Sequence, residues 1–142
     1  MASYDAGTLT NQSKRSARIY KDLNLDFQVN TATKDIQIMF DVEAVKRSVR
    51  NLINLNHYEK PFHPEIGSNL RGMLFELITP QMTHVIGKQI SQLIQNYEPR
   101  CRLVQVATMP DLHKNGYSVS ISFYVVNNPE PVIVESFLER LR

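Results

Sequence analysis

With 142 residues, 42% hydrophobic and 21% charged, the chain is one globular domain's worth of sequence, long enough to bury a core without disulfide or metal staples. Its net charge of +2 sits in residues 1–24, where Lys14, Arg15, Arg18 and Lys21 outnumber Asp5 and Asp22 on a neutral remainder; that balance argues against a specific nucleic-acid binder, which clusters its basic residues. The lone Cys101 excludes an intramolecular disulfide, and apolar runs as short as Val132-Ile133-Val134 exclude a membrane-spanning helix, which needs ~20 residues.

Residues 1–22 are rich in Ser, Thr, Asn and basic groups, with few apolar anchors. They read as an extended basic arm, and residues 23–142 as a single domain. Leu23, Leu25, Phe27 and Val29 alternate with Asn24, Asp26 and Gln28. That period of two predicts a half-buried strand over 23–29. Residues 30–34 carry turn chemistry, and Ile36, Ile38 and Phe40 alternate again. A hairpin is expected.

Asp41 is placed to cap a helix over 42–54, whose apolar stripe is Val42, Val45, Val49, Leu52 and Ile53. Lys46, Arg47 and Arg50 lie off that stripe and read as a solvated face. Residues 55–67 form an irregular linker stiffened by Pro61 and Pro64, with Gly67 free to take a positive φ. Ser68 is placed to cap a short helix burying Leu70, Met73, Leu74 and Leu77. Thr79 and Pro80 open the next helix. There Met82, Val85, Ile86, Ile90, Leu93, Ile94 and Tyr97 recur every three or four residues, the strongest helical signal in the chain.

Pro99 stops that helix, because the residue before a proline avoids the helical region. Residues 100–108 read as a strand and 109–116 as a loop ending on Asn115-Gly116. Val119, Ile121, Phe123 and Val125 then alternate with Ser118, Ser120, Ser122 and Tyr124. A turn follows at Asn127-Asn128-Pro129-Glu130-Pro131. The spacing of Val134, Phe137, Leu138 and Leu141 slightly favours a helix for the last segment, although Val132, Val134 and Leu138 would also line one face of a strand. Strands and helices are segregated, so the fold class is α+β.

Catalytic patterns are absent from the sequence. The five glycines are scattered, with no phosphate loop, and no HExxH or G-x-S-x-G motif occurs. His57, His63, His84 and His113 have no paired-ligand spacing, so no metal site and no cofactor are expected. Glu65, Glu76 and Glu98 are the remaining candidates for a glycosidase pair, which needs two positioned carboxylates across a cleft. More informative is Tyr97-Glu98-Pro99-Arg100. Pro99 holds the backbone extended, and residues i and i+2 of an extended chain point the same way. Glu98 and Arg100 should therefore stand side by side on a rigid step, offering a guanidinium fork and a carboxylate to a partner.

The ordered set of motifs resembles the baseplate-wedge, sheath-initiator family of contractile phage tails, which has relatives in type VI secretion baseplates. The resemblance rests on the helix opening at Asp41, the loop Pro61-Phe62-His63-Pro64-Glu65-Ile66-Gly67-Ser68, the step Leu74-Phe75-Glu76, and Tyr97-Glu98-Pro99-Arg100 followed by a strand. It covers about residues 36–130. It implies three helices packed on a small mixed or antiparallel sheet, in the order ββ-ααα-βββ, and so favours a strand over 131–141. It implies a non-enzymatic baseplate component, assembled in the host cytoplasm into the virion tail. Glu98, Pro99, Arg100 and Tyr97 would dock on a helical core bundle of larger wedge proteins, with Pro64, Glu65, Gly67, Phe75 and Glu76 supporting the site. Ser118, Ser120, Ser122 and Tyr124 would face the tail sheath subunit, on a sheet edge that templates the first sheath ring. Other wedge, hub or tube proteins are further implied partners. On this reading Arg100→Ala abolishes docking and leaves the fold intact. The alternative is a peptidoglycan-cleaving, lysozyme-like hydrolase, taking literally a label that the family has carried.

Overall fold

The computed structural model describes residues 20–126 and 128–141. The arm read over 1–22 falls almost wholly outside the described residues, as does Asn127 of the last turn. The chain divides into two compact units, Met1–Asp41 and Val42–Arg142.

In the first unit β1 (Lys21–Leu23) pairs antiparallel with β4 (Ile38–Phe40), and β2 (Val29–Asn30) with β3 (Asp35–Ile36). The hairpin forms, but the continuous half-buried strand over 23–29 does not. Leu23, Leu25, Phe27 and Val29 are exposed, while Asn24 is buried. Asn24 breaks the strand. Its side-chain oxygen accepts the Asp26 N–H at 3.0 Å, and its carbonyl accepts the Phe27 N–H at 3.0 Å. Such local bonds offer the backbone an alternative to the ladder. Asp41 closes the hairpin: its carboxylate accepts the Tyr20 N–H at 3.1 Å, and its own N–H donates to the Tyr20 carbonyl at 2.9 Å.

The second unit holds the three helices and the larger sheet. Helix α1 (Asp41–Asn54) buries Ala44, Val45, Val49, Leu52 and Ile53, as its spacing requires. Helix α2 (Leu70–Met73) is a single turn that buries Leu70, and Leu74 just beyond it is buried too. Asn69 takes the N-cap position, while the Ser68 hydroxyl accepts the Leu70 N–H at 3.4 Å. Leu77 stays exposed. Helix α3 (Pro80–Tyr97) starts as predicted, the Thr79 hydroxyl accepting the Met82 N–H at 3.1 Å with Pro80 in the first turn. It buries Ile86, Ile90, Leu93 and Ile94.

Strands β5 (Cys101–Asp111), β6 (Gly116–Val125) and β7 (Pro131–Glu139) make one antiparallel sheet in the order β5-β6-β7. The predicted loop over 109–116 shrinks to a turn. Strand β5 runs on to Asp111, whose carboxylate caps that turn by accepting the His113 and Lys114 N–H groups. The last segment is a strand, as the family resemblance implies, which overturns the helical reading of its spacing. Val132, Val134 and Leu138 are buried while their neighbours are not, and nine residues pair with β6. An amphipathic count over so few residues satisfies both periods, and the neighbouring strand decides. Tyr117, Val119, Ile121, Phe123 and Val125 of β6 fill the buried face of the sheet. With the stripes of α1 and α3 they form the core, α3 packing directly on β5.

Candidate functional site

The rigid step lies where α3 ends and β5 begins. Glu98 is the C-cap of α3, its N–H donating to the Ile94 carbonyl at 2.9 Å. Its side chain turns inward and is only 2% exposed. The Arg100 guanidinium grips it with two donors, Nε to Oε1 at 2.6 Å and Nη2 to Oε2 at 2.8 Å. The Ser48 hydroxyl of α1 donates to the same Oε2 at 2.5 Å. The side chains of residues 98 and 100 do meet, but the expected extended link is instead a turn over Pro99 and Arg100, closed by the Cys101 N–H on the Glu98 carbonyl at 3.3 Å, and they meet each other. The carboxylate is not offered to a partner, and the fork of Arg100 is committed to Glu98. What faces outward is the Arg100 side chain, 28% exposed and held in place by its own carboxylate.

This arrangement sets the local electrostatics. Burial alone pushes the Glu98 carboxyl up. The hydrogen bonds from Arg100 and Ser48, with the Arg100 charge, outweigh burial and hold it below the usual carboxylate range. At the adjacent Cys101 thiol the Arg100 charge compensates only in part. Burial, then the Glu98 charge, raise it to about 11. At pH 8 its thiolate fraction is therefore small, and alkylation by iodoacetamide is expected to run about two orders of magnitude slower than for an unperturbed thiol. A stopped-time mass measurement of the intact protein checks this.

Of the expected supporting residues Glu65 bonds to the step directly, and Pro64 and Gly67 lie in the same loop. The Tyr97 hydroxyl donates to the Glu65 carbonyl at 2.8 Å and fastens the proline–glycine loop to the end of α3. The Pro64 carbonyl accepts the Tyr58 N–H at 3.0 Å, and Gly67 is buried at φ 135°. The Glu65 carboxylate is exposed and pairs with His63 Nδ1 at 3.0 Å. Phe75 and Glu76 are placed differently. They are exposed, and their segment is tied to the chain after β7: the Leu74 carbonyl accepts the Leu141 N–H, and the Glu76 carbonyl accepts Arg140 Nε. The same loop holds Tyr58 and Phe62 at φ 69° and 66° with their rings almost wholly exposed. Such backbone costs about 1–3 kcal/mol per residue.

Ser48 is not singled out by the sequence pattern, which gives α1 a core stripe and a basic back. The one signal is a lone serine set among Val45, Val49 and Leu52, on the side of the helix that is buried. Ser48 also lines a groove of about 400 Å³ with Leu52, Leu55, Ile66 and Tyr97.

Ser118, Ser120, Ser122 and Tyr124 do not sit on a sheet edge. They lie on β6, the middle strand, whose hydrogen bonds are taken on both sides. The edges are β5 and β7. Sequence alternation reports which face a residue occupies, but not where its strand sits in the sheet. Among the described residues no group of three or more His, Cys, Asp or Glu could hold a metal ion, and no helix is long and apolar enough to cross a membrane.

A family model described as "Baseplate wedge protein gp25" matches residues 41–130, from the start of α1 through the turn before β7. The baseplate wedge protein gp25 of Enterobacteria phage T4 is 28% identical over 115 residues, covering 81% of this chain and 86% of that protein. A chain in the cryo-EM structure of the anti-feeding prophage baseplate shares the fold with a TM-score of 0.67 at 24% identity, over 78% of this chain and 89% of that one. The crystal structure of a "putative tail lysozyme" from Geobacter sulfurreducens shares it with a TM-score of 0.59 at 19% identity, over 68% and 90%. Fold and family define a structural subunit of a contractile-tail baseplate. The chain belongs to the baseplate wedge protein gp25 family.

Proposed function

We propose that this chain is an adaptor of the baseplate wedge. It docks through Tyr97-Glu98-Pro99-Arg100 on a helical bundle of larger wedge proteins and starts the sheath by strand pairing. The observation that carries the docking step is the clamp on Arg100. An arginine held by a buried carboxylate, itself bonded by Ser48, loses little side-chain freedom on binding, so more of each contact appears as affinity. For the sheath the proposal uses an edge of the larger sheet. Strand β5 is bulged between Leu103 and Gln105 and carries Pro110, both of which protect an edge. Strand β7 has its one proline, Pro131, at its first residue and pairs with β6 without a bulge. It is the edge that accepts a sheath strand by main-chain hydrogen bonding.

The hydrolase reading draws on one similar fold named a tail lysozyme, and its chemistry is unfavourable here. A general acid needs a raised pKa. Glu98 is lowered by its clamp despite burial, and Glu65 is lowered by a backbone hydrogen bond and by His63. Both are held ionised.

The test is capture of the wedge proteins of the same tail by the full-length chain. Arg100→Lys keeps the charge and loses the planar fork, and is expected to weaken capture at least about tenfold. Capture at wild-type strength would sink the docking step. In parallel, amide exchange in β7 should slow when sheath subunits are added. Unchanged exchange there, with sheath bound, would remove β7 as the receiving edge.

A further inference from the structure

The step itself holds the Glu98 carboxylate through the Arg100 guanidinium and the Arg100 backbone N–H. A further donor comes from α1, 50 residues away in sequence. We propose that Ser48 is the positioning residue of the docking step: its hydroxyl fixes the Glu98 carboxylate, which in turn fixes the Arg100 guanidinium presented to the partner. This rests on the docking reading above and adds to it a residue outside the motif.

A carboxylate held only by its neighbour Arg100 can shift with that residue, because both ends of the pair then belong to one short stretch of chain. Ser48 sits on a different element, and its short side chain has a single rotor. Anchored on the buried side of α1, it gives the pair a fixed external reference. The bond is made to Oε2, the oxygen that also receives Arg100 Nη2. Any movement of the carboxylate therefore disturbs the guanidinium directly. The Arg100 guanidinium, just before β5, faces Glu98, and the Cys101 thiol, raised to about 11, stays neutral over the range in which a carboxylate titrates. Arg100 keeps its charge throughout that range, so an acid titration of Glu98 reports the hold on its carboxylate.

A filler role and a positioning role make different predictions for Ser48→Ala. If the hydroxyl positions the clamp, a carbon-13 NMR titration of the Glu98 carboxyl in the full chain should move to higher pH. Capture of the wedge proteins at pH 7 should fall about tenfold, as for loss of a charge-assisted hydrogen bond. Ser48→Thr, which restores a hydroxyl, should bring both back. An unmoved titration, or wild-type capture by Ser48→Ala, would overturn the proposal. The Arg100→Lys variant separates the two ideas. If it loses capture while Ser48→Ala keeps it, docking through the step stands and the positioning role fails. If Arg100→Lys itself keeps capture, the docking reading fails, and the NMR titration still reports whether Ser48 holds the carboxylate.

Discussion

Arg100→Ala is expected to destabilise the isolated protein by about 3 kcal/mol at pH 7, because it leaves a buried carboxylate without its counter-ion. For a chain of this length that lowers the melting temperature by roughly 10 °C. The cost is pH-dependent, and its sign follows from the clamp. In the wild-type protein the Glu98 carboxyl is held below its ordinary value, so the folded state releases that proton more readily than the unfolded chain does. The resulting stability is complete above the unfolded value, near ~4.3, and is lost as pH falls through the lower folded value. Without Arg100, burial pushes the same carboxyl up, and the variant regains stability on protonation. The gap between the two melting temperatures should therefore be widest near neutrality and close in acid. Thermal melts between pH 3 and 7 check this, and a gap that stays constant across that range would refute the clamp. The double variant Glu98→Ala with Arg100→Ala should be more stable than Arg100→Ala alone, since no buried charge is stranded. Arg100→Ala is thus expected to cost stability as well as docking. Docking is better tested with Arg100→Lys, which keeps the counter-ion.

The second large effect falls on Gly67. Its φ of 135° is strained for any residue with a side chain, and a Cβ there would lie 2.6 Å from the carbonyl carbon and oxygen of Asn56. The chain around it makes a bridge between Asn56 and Ser68, and the Ser68 N–H donates to the Leu55 carbonyl at 3.0 Å. The base of the loop is closed at that point. Gly67→Ala must push it open and bear the backbone strain as well. A loss of about 3 kcal/mol or more is expected, well above the ~0.4–1 kcal/mol that a Gly→Ala change returns through the unfolded chain. Because the Tyr97 hydroxyl is bonded to this loop, the same variant should weaken wedge capture. Tyr97→Phe cuts only that exposed bond and should cost no more than about 1 kcal/mol. Melting curves of the two variants, compared with each other, separate loop closure from loop attachment.

Much of the body is legible in the sequence. The stripes of α1 and α3 require amphipathic helices, Thr79 and Pro80 mark a start, and Pro99 marks a stop. These are local signals, in which a residue acts on its own backbone or on neighbours within a turn. The alternation in β6 is equally direct. Where local signals compete, the pattern misleads. The alternation over 23–29 suits a strand, but Asn24 turns the chain. The spacing over 132–141 suits two periods, and pairing with β6 chooses between them.

The sequence by itself pointed to Glu98 and Arg100 as the pair that stands together at the step, although a turn at Pro99-Arg100 and not an extended link brings them together. It also determined the family, through the order of its motifs. The tertiary structure alone decided what that pair does. Whether a carboxylate faces solvent or the core depends on what packs above it, and Ser48 comes from a helix 50 residues earlier in the chain. The order β5-β6-β7 is likewise invisible in the sequence. Alternation assigns a residue to a face, whereas only long-range pairing assigns a strand to the centre or the edge.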